Sequence, residues 1–238
     1  MARLQVPAAK FFRLQFAMKR SPTPASVRPP AADARTRTFD ELVRDVRACT
    51  ACARMNHTHA LGQDNGRIDA TVLFVAEAVG RRGGAITGVP LTRDETGRRF
   101  EAFLAIAGLS RDEIFVTNAV LCHPADAAGL NRTPSAAEVA RCSAFLQRTL
   151  DLVRARLVVA LGRVALESLR AIAPHDARLA VNVGRPLRWY GRILVPMYHP
   201  GRQATLHRPH HLQDSDWRDL GDIARAMTTA SASSVARR

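Results

Sequence analysis

A chain of 238 residues with 47% apolar content is long enough for one α/β domain plus tails and apolar enough for a real core. No run of about 18 or more apolar residues occurs, which excludes a membrane-spanning helix, and a net charge of +14 points toward a polyanion such as nucleic acid. The charge is shared out: residues 1–38 hold eight Lys or Arg against Asp33 alone, and the rest of the chain carries the other +7, so the body is basic without its N-terminal arm.

In chain order, residues 1–38 read as a basic, Pro-rich, disordered arm, because Pro22, Pro24, Pro29 and Pro30 forbid regular structure. The domain is expected over 39–226, with a frayed tail at 227–238. Phe39 to Cys52 reads as a helix with Leu42, Val43 and Val46 on one face. Four short aliphatic runs follow, Thr71–Val75, Ile114–Thr117, Leu157–Leu161 and Ile193–Met197, each suited to a parallel strand covered on both faces. Helical patterns at Gly97–Gly108, Ser135–Val153 and Arg163–Ile172 separate them. This alternation predicts an α/β fold, a three-layer α/β/α sandwich around a central four-stranded parallel sheet.

Ligands of such sheets bind beyond the carboxyl ends of the strands. There the sequence places Ala76-Glu77-Ala78-Val79-Gly80 after the first run, Thr117-Asn118 with Cys122 after the second, Leu161-Gly162-Arg163-Val164-Ala165 after the third and His199-Pro200 after the fourth. Taken with Asn131-Arg132-Thr133-Pro134 and the order of the four cysteines, this set resembles the family 4 uracil-DNA glycosylases, the iron–sulfur branch of the uracil-DNA glycosylase superfamily. The resemblance covers residues 40–222.

The resemblance implies a hydrolase that acts on N-glycosyl bonds in DNA repair: a monofunctional glycosylase that flips uracil out of the stack and leaves an abasic site. Asn118 would read the pairing edge of uracil, its amide accepting from the ring N–H and donating to a carbonyl. His199 would donate to the charge that develops on the leaving base. Glu77, Ala78, Val79, Gly80 and Leu91 would line the substrate pocket, and Arg202 and Arg208 would hold phosphates of single- or double-stranded DNA. The body contains no lysine, since only Lys10 and Lys19 occur, so the usual Schiff-base nucleophile is missing. Two departures stand out. Where the family has a water-orienting carboxylate, this chain has Gly83-Gly84-Ala85, and where the family has a stacking aromatic it has Leu91. Either the reaction is mostly dissociative and its water needs little activation, or Glu77, Asp94 or Glu95 takes the carboxylate's role. The ordinary reading of Asp94 and Glu95 is the solvated start of a helix.

The cysteines are spaced Cys49-x2-Cys52, then 69 residues, then Cys122-x19-Cys142. Without a signal peptide they favour metal over disulfides. On chemistry alone, zinc on four cysteines stands beside an iron–sulfur cluster; the resemblance implies a [4Fe–4S] cluster on Cys49, Cys52, Cys122 and Cys142 with a structural role. The expectation is therefore a cytoplasmic, nucleoid-associated monomer. Two alternatives stay open: a glycosylase for hypoxanthine or xanthine, and a catalytically weak iron–sulfur protein that binds damaged or single-stranded DNA.

Overall fold

The structure, a computed structural model, describes residues 32–235; the readings of residues 1–31 and 236–238 lie outside them. The first helix, α1, spans Ala32–Arg47. It therefore begins inside the stretch read as arm and ends before the cysteines. No proline falls between 31 and 47, and the helix buries Phe39, Leu42 and Val46. Because it stops at Arg47, Cys49 and Cys52 sit on an irregular segment, and their thiols are free of helical register.

The sheet is built from β1 (Val72–Ala78), β2 (Ile114–Val120), β3 (Leu157–Leu161), β4 (Leu187–Trp189) and β5 (Arg192–Met197), in the spatial order β2-β1-β3-β5-β4. The first four in that order run parallel, as the unbroken aliphatic runs require. The four-stranded expectation is corrected by β4, which pairs antiparallel with β5 at the edge. Three residues with an arginine in the middle give no periodic signal. The strand exists because Tyr190 and Gly191, both at positive φ, make a two-residue hairpin turn, and because Trp189 is buried and donates its indole N–H to the Ala173 carbonyl at 2.8 Å.

Helices α2 (Glu95–Ala107), α3 (Ala136–Val153), α4 (Arg163–Ile172) and α5 (His210–Val235) complete the three layers. One core packs α1, α3 and α4 on one face of the sheet; a second packs α2 and α5 on the other. In the second, Trp217 stacks on Phe103 at 5.1 Å and on Phe74 at 5.7 Å between ring centroids. That contact fixes α2, and with it the loop that enters α2, against β1. α5 runs on to Val235 through the stretch read as a tail, with Leu220, Ala224 and Met227 packed on this core. No helix among the described residues is long and apolar enough to cross a membrane.

The chain enters the sheet at β1, adds β2 on one side and then crosses to β3 on the other. This reversal opens a crevice at the carboxyl ends of β1 and β3.

Candidate functional site

A cavity of about 560 Å³ occupies that crevice. Glu77 to Gly80 line it at and beyond the end of β1, Gly162 and Arg163 after β3, and Tyr198, His199 and Arg202 after β5. Leu91, Asp94, Asn131 and His207 close its sides.

His199 is held in one chemical form. Burial pushes its imidazole down to about 4, with nearby Asp94 opposing the shift, so the ring is neutral at pH 7. The Gly201 N–H donates to Nδ1 at 3.1 Å, which puts the ring proton on Nε2. His199 is thus a neutral donor in the cavity wall. Gly162, at φ 95°, lets the turn after β3 approach the His199 Cβ without a side chain of its own.

Asn118 is 1% exposed at the end of β2, in register with Ala76, and does not line the cavity surface itself. Its Nδ2 has no hydrogen-bond partner among the described residues. A buried amide donor left unsatisfied costs about 1–3 kcal/mol, which a functional site can justify. Glu77 is half-buried, and burial raises its carboxyl above the usual range, with Arg163 opposing.

Asp94 does two jobs. Its Oδ1 accepts from the Gly97 N–H at 2.9 Å and caps α2. Its Oδ2 lies against the glycine loop, 2.8 Å from where a Cβ on Gly83 would stand and 3.3 Å from one on Gly80. A side chain at position 83 would also meet the Thr92 carbonyl at 2.5 Å. Gly83 therefore leaves room for the Asp94 carboxylate. Glu95 instead points to solvent and pairs with Arg98 at 2.7 Å. The loop carries strain: Leu91 at φ 53° and Arg93 at φ 67° are non-glycine residues in the left-handed region, each costing about 1–2 kcal/mol.

Arg202 is exposed at the cavity mouth. Arg208 is not: its guanidinium forks onto Asp216, with Nε and NH2 donating at 2.9 and 2.6 Å. A guanidinium paired in this way braces the turn before α5, and Arg208 does not line the cavity. Leu206, missed in the sequence, is 81% exposed on the turn Arg202–Leu206 between two mouth residues, Arg202 and His207. An exposed leucine beside an arginine gives no signal until the turn is placed.

The four cysteines gather on one side of this region. Cys122 and Cys142 are buried in a small cluster with Met55 and Val120, and Cys52 packs against it. Burial raises the Cys122 thiol and pushes Cys142 up to about 11, and the other cysteines add to both shifts. Two buried thiols that resist ionisation, with two more thiols beside them, form a donor set that fits a metal. Two further donors were missed: the ring nitrogens of His57 and His59 lie within 4.8 Å of each other and of the Cys122 sulfur. His59 Nε2–H donates to the Cys49 carbonyl at 2.8 Å. Arg132 ties this lobe to the cavity. It makes a bidentate pair with Glu138, at 2.8 and 2.6 Å, that holds the carboxyl down to about 2, and it reaches the carbonyls of Ala125 and Arg54.

A family model described as the uracil DNA glycosylase superfamily matches residues 63–221. The chain is 28% identical over 196 residues to a type-4 uracil-DNA glycosylase of Archaeoglobus fulgidus, covering 78% of this chain and 92% of that protein. It is 30% identical over 176 residues to the type-4 enzyme of Saccharolobus solfataricus, covering 72% and 78%. To a type-5 uracil-DNA glycosylase of Pyrobaculum aerophilum it is 32% identical over 148 residues, covering 57% and 63%.

Proposed function

The chain belongs to the uracil DNA glycosylase superfamily, and from that footing we propose that it hydrolyses the N-glycosidic bond of uracil flipped out of DNA and leaves an abasic site. The observation that carries this reading is His199, a neutral imidazole whose Nδ1 is occupied by the Gly201 N–H and whose Nε2–H is left to donate.

As the bond from C1′ to the base lengthens, positive charge builds on the sugar and negative charge on the base. The Nε2–H of His199 stabilises that negative charge. A neutral donor does this without first giving up a proton, and such preorganised donors are worth roughly 3–4 kcal/mol. The unpartnered Asn118 amide meets a uracil carbonyl, and its oxygen accepts from the ring N–H. Cytosine has an acceptor where uracil has that N–H and is rejected by the unpaired groups it would bury. Asp94 Oδ2 accepts from a water and holds it for attack at C1′, in the place that Gly83-Gly84 leave open. The oxygen of that water bonds to the sugar, one of its protons is released, and the base departs with the bonding pair and is protonated. Arg202 meets a flanking phosphate, and Leu206 fills the gap left in the stack, as apolar wedges do.

A [4Fe–4S] cluster on Cys49, Cys52, Cys122 and Cys142 fits the lobe beside the cavity. When bound, the cluster supplies a cross-link between the segment after α1, the loop after β2 and α3, and takes no part in the reaction.

The test is base release from oligonucleotides bearing uracil, hypoxanthine or xanthine, single- and double-stranded, with alkali cleavage at the abasic site. Release of uracil that is lost in His199→Ala supports the reading; DNA binding without release of any base rejects it.

A further inference from the structure

The lid over the base pocket is Leu91, which stands where the family it resembles has a stacking aromatic, and its backbone sits in the left-handed region at φ 53°. A leucine covers a base through shape alone, so it must be held in place. The neighbours of the strained loop show what holds it.

Arg111 begins the short turn before β2. Its guanidinium donates to the carbonyls of both Pro90, at 3.2 Å, and Leu91. Its Nε donates to Glu101 at 2.7 Å, and its plane lies over the Phe100 ring at 4.9 Å. Phe100 is fully buried in the core beneath α2. Three of the guanidinium's directions are therefore committed: two to consecutive carbonyls of the lid and one to a carboxylate on α2, with the ring face as a floor. Arg111 itself is absent from the cavity wall.

We propose that Arg111 is a positioning residue that clamps Leu91 over the flipped base by tying the lid's carbonyls to α2. The planar fork is what the task needs, because one rigid group must serve two adjacent carbonyls and a carboxylate at once. Lysine keeps the charge and loses that geometry. The clamp sets how closely the lid contacts the base, so it governs retention of the flipped nucleotide and leaves the chemistry at His199 untouched. The inference rests on the reading of the cavity as a base pocket.

A double-mutant cycle tests it, with Leu91→Ala, Arg111→Ala and the pair, measured as kcat/KM for uracil release from a single-stranded oligonucleotide. Arg111→Ala should lower kcat/KM about tenfold, as a displaced positioning group does, and add almost nothing in the Leu91→Ala background. Losses that multiply would overturn the clamp. Arg111→Lys should behave like Arg111→Ala, and full rescue by lysine would show that charge alone is needed. Where Arg111→Ala fails to fold, Arg111→Lys carries the cycle. A readout without DNA separates this proposal from the activity it rests on. Amide hydrogen exchange across residues 88–94 should quicken in the Arg111 variants while β1 stays protected. If the wild type releases no uracil, the base-pocket reading fails, and unchanged exchange at 88–94 would overturn the clamp on its own.

Discussion

The cavity and the cysteine lobe sit side by side and are joined by one strand, since β2 carries Asn118 near its end and Cys122 lies two residues beyond its last residue, Val120. They are built in opposite ways. The cavity takes its groups from the ends of three parallel strands, β1, β3 and β5, where sheet hydrogen bonds and two cores hold the backbone. On the neighbouring strand β2 a buried polar atom, Asn118 Nδ2, stays unsatisfied. The lobe takes its groups from an irregular segment, a loop and a helix, packed on a small cluster of apolar neighbours. On the proposed reading the first region keeps its shape through the sheet, and the second gains its order from the metal it would hold. Damage to the cavity should therefore cost rate and spare stability, and damage to the lobe should cost stability first.

The largest effect sharpens the cavity side. His199→Ala should lower kcat by about 10²–10³ with an unchanged melting midpoint; a parallel loss of stability would break the contrast. On the other side, Cys142→Ala should lose the brown chromophore and destabilise by at least about 3 kcal/mol, read by calorimetry and iron content. Full stability in iron-free protein would show that the lobe holds itself together. Asp94 lets the two effects be separated at one residue. Asp94→Asn keeps the helix cap and should lower kcat by about tenfold or more at constant stability. Asp94→Ala should lose a further ~1 kcal/mol of stability with the cap.

The pH response is smaller and has a definite sign. The His199 imidazole falls from its ordinary 6.5 to about 4 in the folded chain, so between those values the unfolded chain binds the extra proton. Its contribution to stability is complete above about 6.5 and is lost as pH falls toward 4. Uracil release should stay level from pH 8 down to about 5.5 and fall through about 4; a midpoint near 6.5 would mean that the ring is not buried as described. Least of all, Arg202→Ala should reduce the salt dependence of DNA binding by about one phosphate contact and leave kcat unchanged.

Much of this was legible in the sequence because strands and their ends are local. Leu157–Leu161 and Arg163–Ile172 appear at the bounds their patterns indicate, and His199 and the Glu77 to Gly80 segment line one cavity as the strand-end rule requires. The misses are long-range. The three residues of β4 become a strand only beside β5. α1 and α5 run into stretches whose composition suggested tails. The pairing of Arg208 with Asp216, eight residues further on, depends on how the turn before α5 folds back on the helix. Asp94 reads as the solvated start of a helix, and it caps α2; that its second oxygen faces the glycine loop depends on how Thr92 packs against Gly83.

The most direct test of the central claim is uracil release by iron-loaded wild-type and His199→Ala protein on the same single-stranded oligonucleotide, followed from pH 8 to pH 4. The account predicts rapid release by the wild type, level to about pH 5.5, and release slowed by about 10²–10³ in the variant with equal DNA binding. Equal release by both proteins, or binding with no release by either, would contradict it.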